Sequence, residues 1–314
     1  MATRDWALVF FTLLTQAAVG AFVTLHVLRL LAGRRRAHGG SAPAGEGRGG
    51  MLIAHATVLA VLALGLFAAL FHLSTPLQAA RAVVNFSSSW LSREIVFGSL
   101  FAVLLAALVA TDWRAAGAGG ASQAHPWLSW LTAAAGMAFL YCQTAIYLLP
   151  AQPAWDSFAT PAAFGGSALR LGIIGVAAGF VVAGLPASTG SAPDGPSGGS
   201  SWSTLRGLAV AGIVVLAAEL VVTPLHLLSL AAEGSAAAAA SAERLTGDYG
   251  GVLLLRIGSL CAAGAALAGV LAGPRLRIAP HLVRPLTGAA FCLVLASELC
   301  GRFLFYAMQV RVGI

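Results

Sequence analysis

Eight stretches of this chain stay apolar for longer than the core of a soluble domain can use. They run approximately over residues 7–32, 51–72, 92–111, 126–148, 161–186, 205–230, 250–272 and 283–309. A helix rises about 1.5 Å per residue, so about 20 apolar residues cross the roughly 30 Å hydrocarbon core of a bilayer. Composition agrees. Of 314 residues 59% are hydrophobic and 9% charged, and mean hydropathy is +0.87, whereas soluble domains carry roughly 25% charged residues. A solvated single-core globule is excluded, and the connecting loops leave no room for an extramembrane catalytic domain. The expected fold class is all-α: a polytopic membrane protein whose residues 1–314 form a single integral-membrane domain, a bundle of eight transmembrane helices.

The net charge of +7 comes from 18 basic residues, all arginine. They follow the loops and form no basic patch interleaved with aromatics, so nucleic acid is not an expected partner. Loops 33–50, 112–125, 187–206 and 273–284 hold nine arginines, and the opposite side holds five (Arg4, Arg81, Arg93, Arg244 and Arg311). The positive-inside rule then puts both termini outside, in the periplasm of a Gram-negative host, with the protein in the inner membrane. Segment 1 does not read as a cleaved signal peptide: it is too long, and Arg34-Arg35-Arg36 follows where small residues belong. Cys142, Cys261, Cys292 and Cys300 all lie inside apolar blocks with no C-x-x-C pair and no zinc spacing, so no metal or iron–sulfur site is expected in this chain. The Gly- and Ser-rich stretches 37–50 and 187–204 read as flexible connectors. The Ala-rich stretch 231–249 reads as a short surface helix.

Ionisable residues inside the apolar blocks are the informative ones, because each costs at least ~2.5–3.5 kcal/mol at the centre of a helix in lipid. Arg29 lies near the inner end of segment 1, where it can snorkel, and His26 and His55 also fall toward the inside. The others gather from mid-membrane to the outer surface. His72, Arg81 and Glu94 surround one outer loop, and Gln143 and Tyr147 share a face near the outer end of segment 4. Arg170 lies in segment 5, Glu219 and His226 in segment 6 with Pro224 between them, and Arg256 in segment 7. Glu298, Arg302, Tyr306 and Gln309 form one polar stripe on segment 8. Two readings stand side by side. In the structural one, Glu298 and Arg302 form an i,i+4 ion pair and Glu219 bridges to Arg170 or Arg256. In the functional one, buried carboxyls and imidazoles in one outer-half cavity hydrogen-bond a quinone head group and carry its protons outward.

At the outer loop the sequence resembles a known family. Phe71-His72-Leu73-Ser74-Thr75-Pro76 is similar to the His-Leu-Gly-x-Pro element of the membrane-anchor subunit of dimethyl sulfoxide (DMSO) reductase, with Ser74 in place of the glycine. Ser89-Trp90-Leu91-Ser92-Arg93-Glu94-Ile95 resembles the signature that follows that loop. Phe10-Phe11-Thr12-Leu13-Leu14-Thr15-Gln16 with Gly20, Tyr249-Gly250 with Arg256, and Glu298-Leu299-Cys300-Gly301-Arg302-Phe303-Leu304-Phe305-Tyr306 agree in order and spacing. The resemblance implies a menaquinol-oxidising membrane anchor. Its partners would be a periplasmic molybdopterin catalytic subunit and an electron-transfer subunit with four [4Fe–4S] clusters, with no haem in this chain. It also implies that His72 and Glu94 are the quinol-linked, catalytic residues. Arg81, Arg93, Gln143 and Tyr147 would complete the quinol-binding set. Arg170, Glu219, His226, Arg256, Glu298, Arg302 and Tyr306 would form an internal polar network.

Two other classes fit the residue types. A di-haem b cytochrome would use His26 with His55 inside and His72 with His226 outside. A proton or solute transporter would use the Glu/Arg network as its pathway, although the segments lack the paired Gly/Pro interruptions of inverted-repeat transporters.

Overall fold

The computed structural model describes residues 3–37, 48–71, 84–117, 126–183, 196–272 and 280–312; His72 and Arg81 lie outside them. Within these residues every regular element is a helix, joined by turns. The eight apolar blocks become α1 (Thr3–Ala37), α2 (Arg48–Leu70), α3 (Trp90–Gly117), α4 (Pro126–Ala145), α5 (Ala159–Val182), α6 (Pro196–Glu233), α8 (Gly250–Ala272) and α9 (Val283–Ala307). Seven of them are long and apolar enough to cross a membrane. The eighth, α4, has 20 residues whose Ser, Thr, Gln and Trp side chains lower its hydropathy, and more than half of it is buried among the others.

Helix ends differ from the sequence-based expectation in several places, three of them for an identifiable local reason. The expected connector 187–204 is helical from Pro196 onward; proline is tolerated in a first helical turn, where its missing N–H would have no partner, and the apolar run behind it propagates the helix. Helix α3 continues to Gly117 instead of ending at 111, because Asp112 is buried and paired with His55. Helix α4 stops at Ala145, and Ile146–Tyr147 turn back onto Cys142 and Thr144 through backbone hydrogen bonds. The short helix expected in 231–249 is α7 (Ala236–Glu243), whose Ser235 side chain accepts the Ala238 N–H at 3.1 Å in the manner of an N-cap. A π-helical turn, Arg244–Asp248, leads from it into α8.

Neighbour relations divide the long helices into two rings of four. Helix α1 packs on α2, α2 on α3, α3 on α4 and α4 on α1; likewise α5 on α6, α6 on α8, α8 on α9 and α9 on α5. The rings meet chiefly where α1 crosses α5. At that crossing the two backbones touch. A Cβ on Gly20 would strike the Ala168 carbonyl, and one on Gly172 would strike the backbone of Gly20 and Ala21. Lipid supplies no hydrophobic drive for helices to associate, so small residues that allow close backbone approach do the work. Ala168 and Gly172, four apart, form such a face.

Gly172→Leu is therefore expected to lower stability by about 3 kcal/mol or more. The matched control is Gly179→Leu on the same helix, where a Cβ meets open space and stability should hold. Thermal unfolding of the detergent-solubilised protein separates the two variants.

Candidate functional site

The site starts where α3 starts. The Ser89 hydroxyl accepts the Ser92 N–H at 3.3 Å. Arg93 then folds back on the preceding turn, donating from Nε to the Phe86 carbonyl at 2.9 Å and from Nη2 to the Ser87 carbonyl at 2.7 Å, with its guanidinium 4.2 Å from the Trp90 ring centroid. The next residue, Glu94, points the other way. It is buried, and its carboxyl lies close enough to the Gln143 amide of α4 to feel it. The Gln143 amide is itself held from α1: Nε2 donates to Thr15 Oγ1 at 2.8 Å, and Oε1 accepts from Gln16 Nε2 at 3.4 Å. Gln16 Oε1 in turn accepts from Arg302 Nη2 of α9 at 2.6 Å.

From Arg302 the series of contacts becomes ionic. Ser167 Oγ of α5 accepts from Arg302 Nη2 at 3.4 Å and donates to Glu298 Oε2 at 2.5 Å. Arg170 Nε donates to Glu298 Oε1, and Arg170 Nη1 donates to Glu219 Oε2 of α6 at 2.7 Å. The second Glu219 oxygen accepts from Arg256 Nη2 of α8. Arg256 reaches it by crossing at Gly301, where a Cβ would come within 2.8 Å of its Nε. One continuous polar network thus links six helices, from Gln143 on α4 to Arg256 on α8, with Glu94 of α3 beside its first member. It lies in the half of the bundle where α1 begins and α9 ends. Arg170 is among the most completely buried side chains described, roughly 17 Å along α5 from its start, at a rise of about 1.5 Å per residue.

Aromatic rings close this half. Tyr147 and Tyr306 share a hydrogen bond of 2.9 Å between their hydroxyls. Trp155 stacks on Phe305 with centroids 5.3 Å apart, and its indole N–H donates to the Phe305 carbonyl at 2.8 Å. The Arg302 guanidinium lies 4.1 Å from the Phe164 centroid, a cation–π contact that strengthens away from water. Beyond Arg302, a cavity of about 70 Å³ is lined by Glu219, His226, Arg256, Glu298 and Arg302. Small-molecule pockets run to roughly 300–1,000 Å³, while a water takes up about 30 Å³; this cavity is of water size. Both His226 nitrogens and Arg302 Nε and Nη1 are buried there without a hydrogen-bond partner among the described residues.

A profile of the DMSO reductase anchor subunit (DmsC) family matches residues 1–308. The protein belongs to this family. Among curated relatives it is similar to the YnfH subunit of an anaerobic dimethyl sulfoxide reductase of Escherichia coli, 30% identical over 314 residues. It is also similar to the C subunit of the same organism's anaerobic dimethyl sulfoxide reductase, 28% identical over 318 residues. Each alignment covers 99% of this protein and 96% of the relative. The C subunit of the Haemophilus influenzae enzyme is 28% identical over 159 residues, covering 50% of this protein and 52% of its own length.

In this anchor subunit the structure joins most of the residues singled out from sequence. Glu94 and Gln143 lie side by side, and Tyr147 bonds Tyr306, which is within electrostatic reach of Arg302. Arg170, Glu219, Arg256, Glu298 and Arg302 are parts of one series of contacts, with His226 beside them. Arg93 braces the turn before α3. Glu219 takes both bridges that sequence offered as alternatives, to Arg170 and to Arg256. The expected helical ion pair of Glu298 with Arg302 is replaced: Glu298 reaches Arg170, Arg302 reaches Gln16, and the two meet only through Ser167. Cross-helix partners hold both lone pairs and donors better than a neighbour on the same turn.

Sequence reasoning gave no role to the uncharged links, Thr15, Gln16 and Ser167. The signal available was Thr12, Thr15 and Gln16 at helical spacing in an apolar block. It also left Asp112 in a loop. At the opposite end of the bundle His55 Nδ1 lies 2.7 Å from Asp112 Oδ2, both buried. Phe22 packs on the rings of His55 and His26, and His26 meets Trp130 edge-on. Among the described residues, no three His, Cys, Asp or Glu gather where they could hold a metal ion.

Arg170→Met would leave the buried Glu298 carboxylate without a cation and Glu219 with Arg256 alone, and is expected to cost about 3–5 kcal/mol, read from thermal unfolding in detergent. In the same assay a double-mutant cycle on His55→Ala and Asp112→Ala should return a coupling of about 1–3 kcal/mol. A coupling near zero would mean the two side chains do not act together.

Proposed function

We propose that this subunit anchors a DMSO-reductase-type molybdoenzyme complex in the inner membrane and oxidises menaquinol at the end of the bundle where α3 begins. In this reading both termini face the periplasm. The molybdopterin catalytic subunit and a subunit with four [4Fe–4S] clusters dock on that face. Menaquinol supplies two electrons, which pass to the iron–sulfur partner, and two protons, which leave to the outside.

The observation that carries the reading is the buried Glu94 carboxyl in the first turns of α3, beside a Gln143 amide that Thr15 and Gln16 fix in orientation. A carboxylate so placed accepts a hydroxyl proton, and the amide beside it sets the direction from which the hydroxyl approaches. General acid–base groups act within hydrogen-bond reach of the proton they move, and a series of fixed amides gives Glu94 that constancy. His72, which the family motif pairs with Glu94, is the second proton acceptor in this proposal, and Arg81 holds charge on the intervening loop. Arg93 supports the turn from which Glu94 projects. The Arg170–Glu219–Arg256–Glu298 cluster holds the helices in register behind the site, and its water-sized cavity lies apart from the quinol position.

Glu94→Gln and His72→Ala are each expected to lower quinol-linked reduction by the assembled complex about 100-fold. Both should leave subunit co-purification intact. Full turnover in an intact complex would remove Glu94 and His72 from the reaction. The isolated subunit is expected to show no Soret absorption band; a Soret band would favour the cytochrome reading.

A further inference from the structure

We infer that the opposite end of the bundle carries a binding site for an anionic phospholipid, in a groove between α1, α5 and α6. The groove encloses about 340 Å³, within the range of small-molecule pockets. Along α1 it runs from Val23 to Arg35, roughly 18 Å at about 1.5 Å per residue. That is close to the depth of one leaflet, about half of a ~30 Å hydrocarbon core. Its walls are aliphatic and aromatic, among them Leu28, Ile173, Phe180 and Leu208. Thr24, whose hydroxyl donates to the Gly20 carbonyl, Arg29, Arg35, Ser203 and Thr204 are its polar and charged members. Arg35 Nη1 already points across the mouth to Ser203 Oγ at 3.3 Å, so the guanidinium is held beside hydroxyls that can share a phosphate.

Charge decides the occupant. Among the described residues two arginines line the groove and no acid does, so a neutral or zwitterionic head group leaves their charge uncompensated. A phosphodiester with net negative charge satisfies both, and its acyl tail fills the apolar length below. Arg34, Arg114, Arg206 and Arg284, at the same end of the bundle on α1, α3, α6 and α9, make this face attractive to anionic lipid, at about 1 kcal/mol per arginine near the surface. The site is at the other end of the molecule from Glu94 and does not depend on the quinol assignment.

The test is native mass spectrometry of the purified full-length protein in detergent, titrated with phosphatidylglycerol, with phosphatidylethanolamine of the same acyl composition, and with inorganic phosphate. One phosphatidylglycerol should be retained in preference to phosphatidylethanolamine by about tenfold or more. Arg29→Gln with Arg35→Gln should abolish that preference. Gly207→Leu keeps both arginines and adds bulk on the groove wall at a position where a Cβ meets open space. It should reduce retention of both lipids about tenfold. Equal retention of the two lipids by the unaltered protein would overturn the proposal. So would undiminished retention in Gly207→Leu, or displacement of the lipid by an equal concentration of inorganic phosphate.

Discussion

Arg170 is the residue on which the rest of the structure leans. A guanidinium near the middle of a membrane is tolerated only if its charge is met on the spot, and here two carboxylates from two different helices meet it. Glu298 brings α9 to α5, and Glu219 brings α6, with Arg256 of α8 closing on the far oxygen. The four helices of the second ring are thereby tied at one level. Removing any one member takes a charged partner from at least one other, so the cluster acts as a unit. Its effect is to fix registry more than to add net stability, because the cost of dehydrating such groups offsets much of their attraction.

The close crossing of α1 and α5 carries that registry into the first ring. With Gly20 against Ala168 and Gly172 against Gly20, the two backbones are near enough for Gln16 of α1 to accept a hydrogen bond from Arg302 of α9. Gln16 and Thr15 then set the Gln143 amide, and Gln143 lies beside Glu94. A larger residue at the crossing would push α1 outward and break the contact with Arg302 before it disturbed anything at Glu94 itself. Packing of small residues and orientation of the candidate quinol-linked acid are thus one problem, solved by the same pair of helices. The two ends of the bundle differ in kind. One is closed by Tyr147, Trp155, Phe305 and Tyr306 over a polar network, and the other holds the His55–Asp112 pair and an apolar groove edged with arginine.

The helices were legible in advance because hydropathy is summed locally: 250–272 reads the same from sequence and structure, and the other segments shift only at their ends. The shifts come from tertiary partners. Asp112 extends α3 because His55, 57 residues earlier, accepts it into the interior. The set of charged residues facing inward was legible for the same thermodynamic reason, since a charge in an apolar block has few places to go. Uncharged links such as Thr15, Gln16 and Ser167 were not, because a hydroxyl or amide in a helix can satisfy itself on its own backbone, as Thr15 also does on Phe11.

Sequence alone determined that this is a bundle of membrane-crossing helices, and which charged side chains would turn inward, because a charge flanked by long apolar sequence on both sides is costly if it faces lipid. Which of those side chains pair was decided by the packing. Arg170 lies 49 residues from Glu219 and 128 from Glu298. Only the approach of helix backbones to one another, permitted at Gly20, Gly172 and Gly301, chooses the cross-helix partners over the neighbour one turn away.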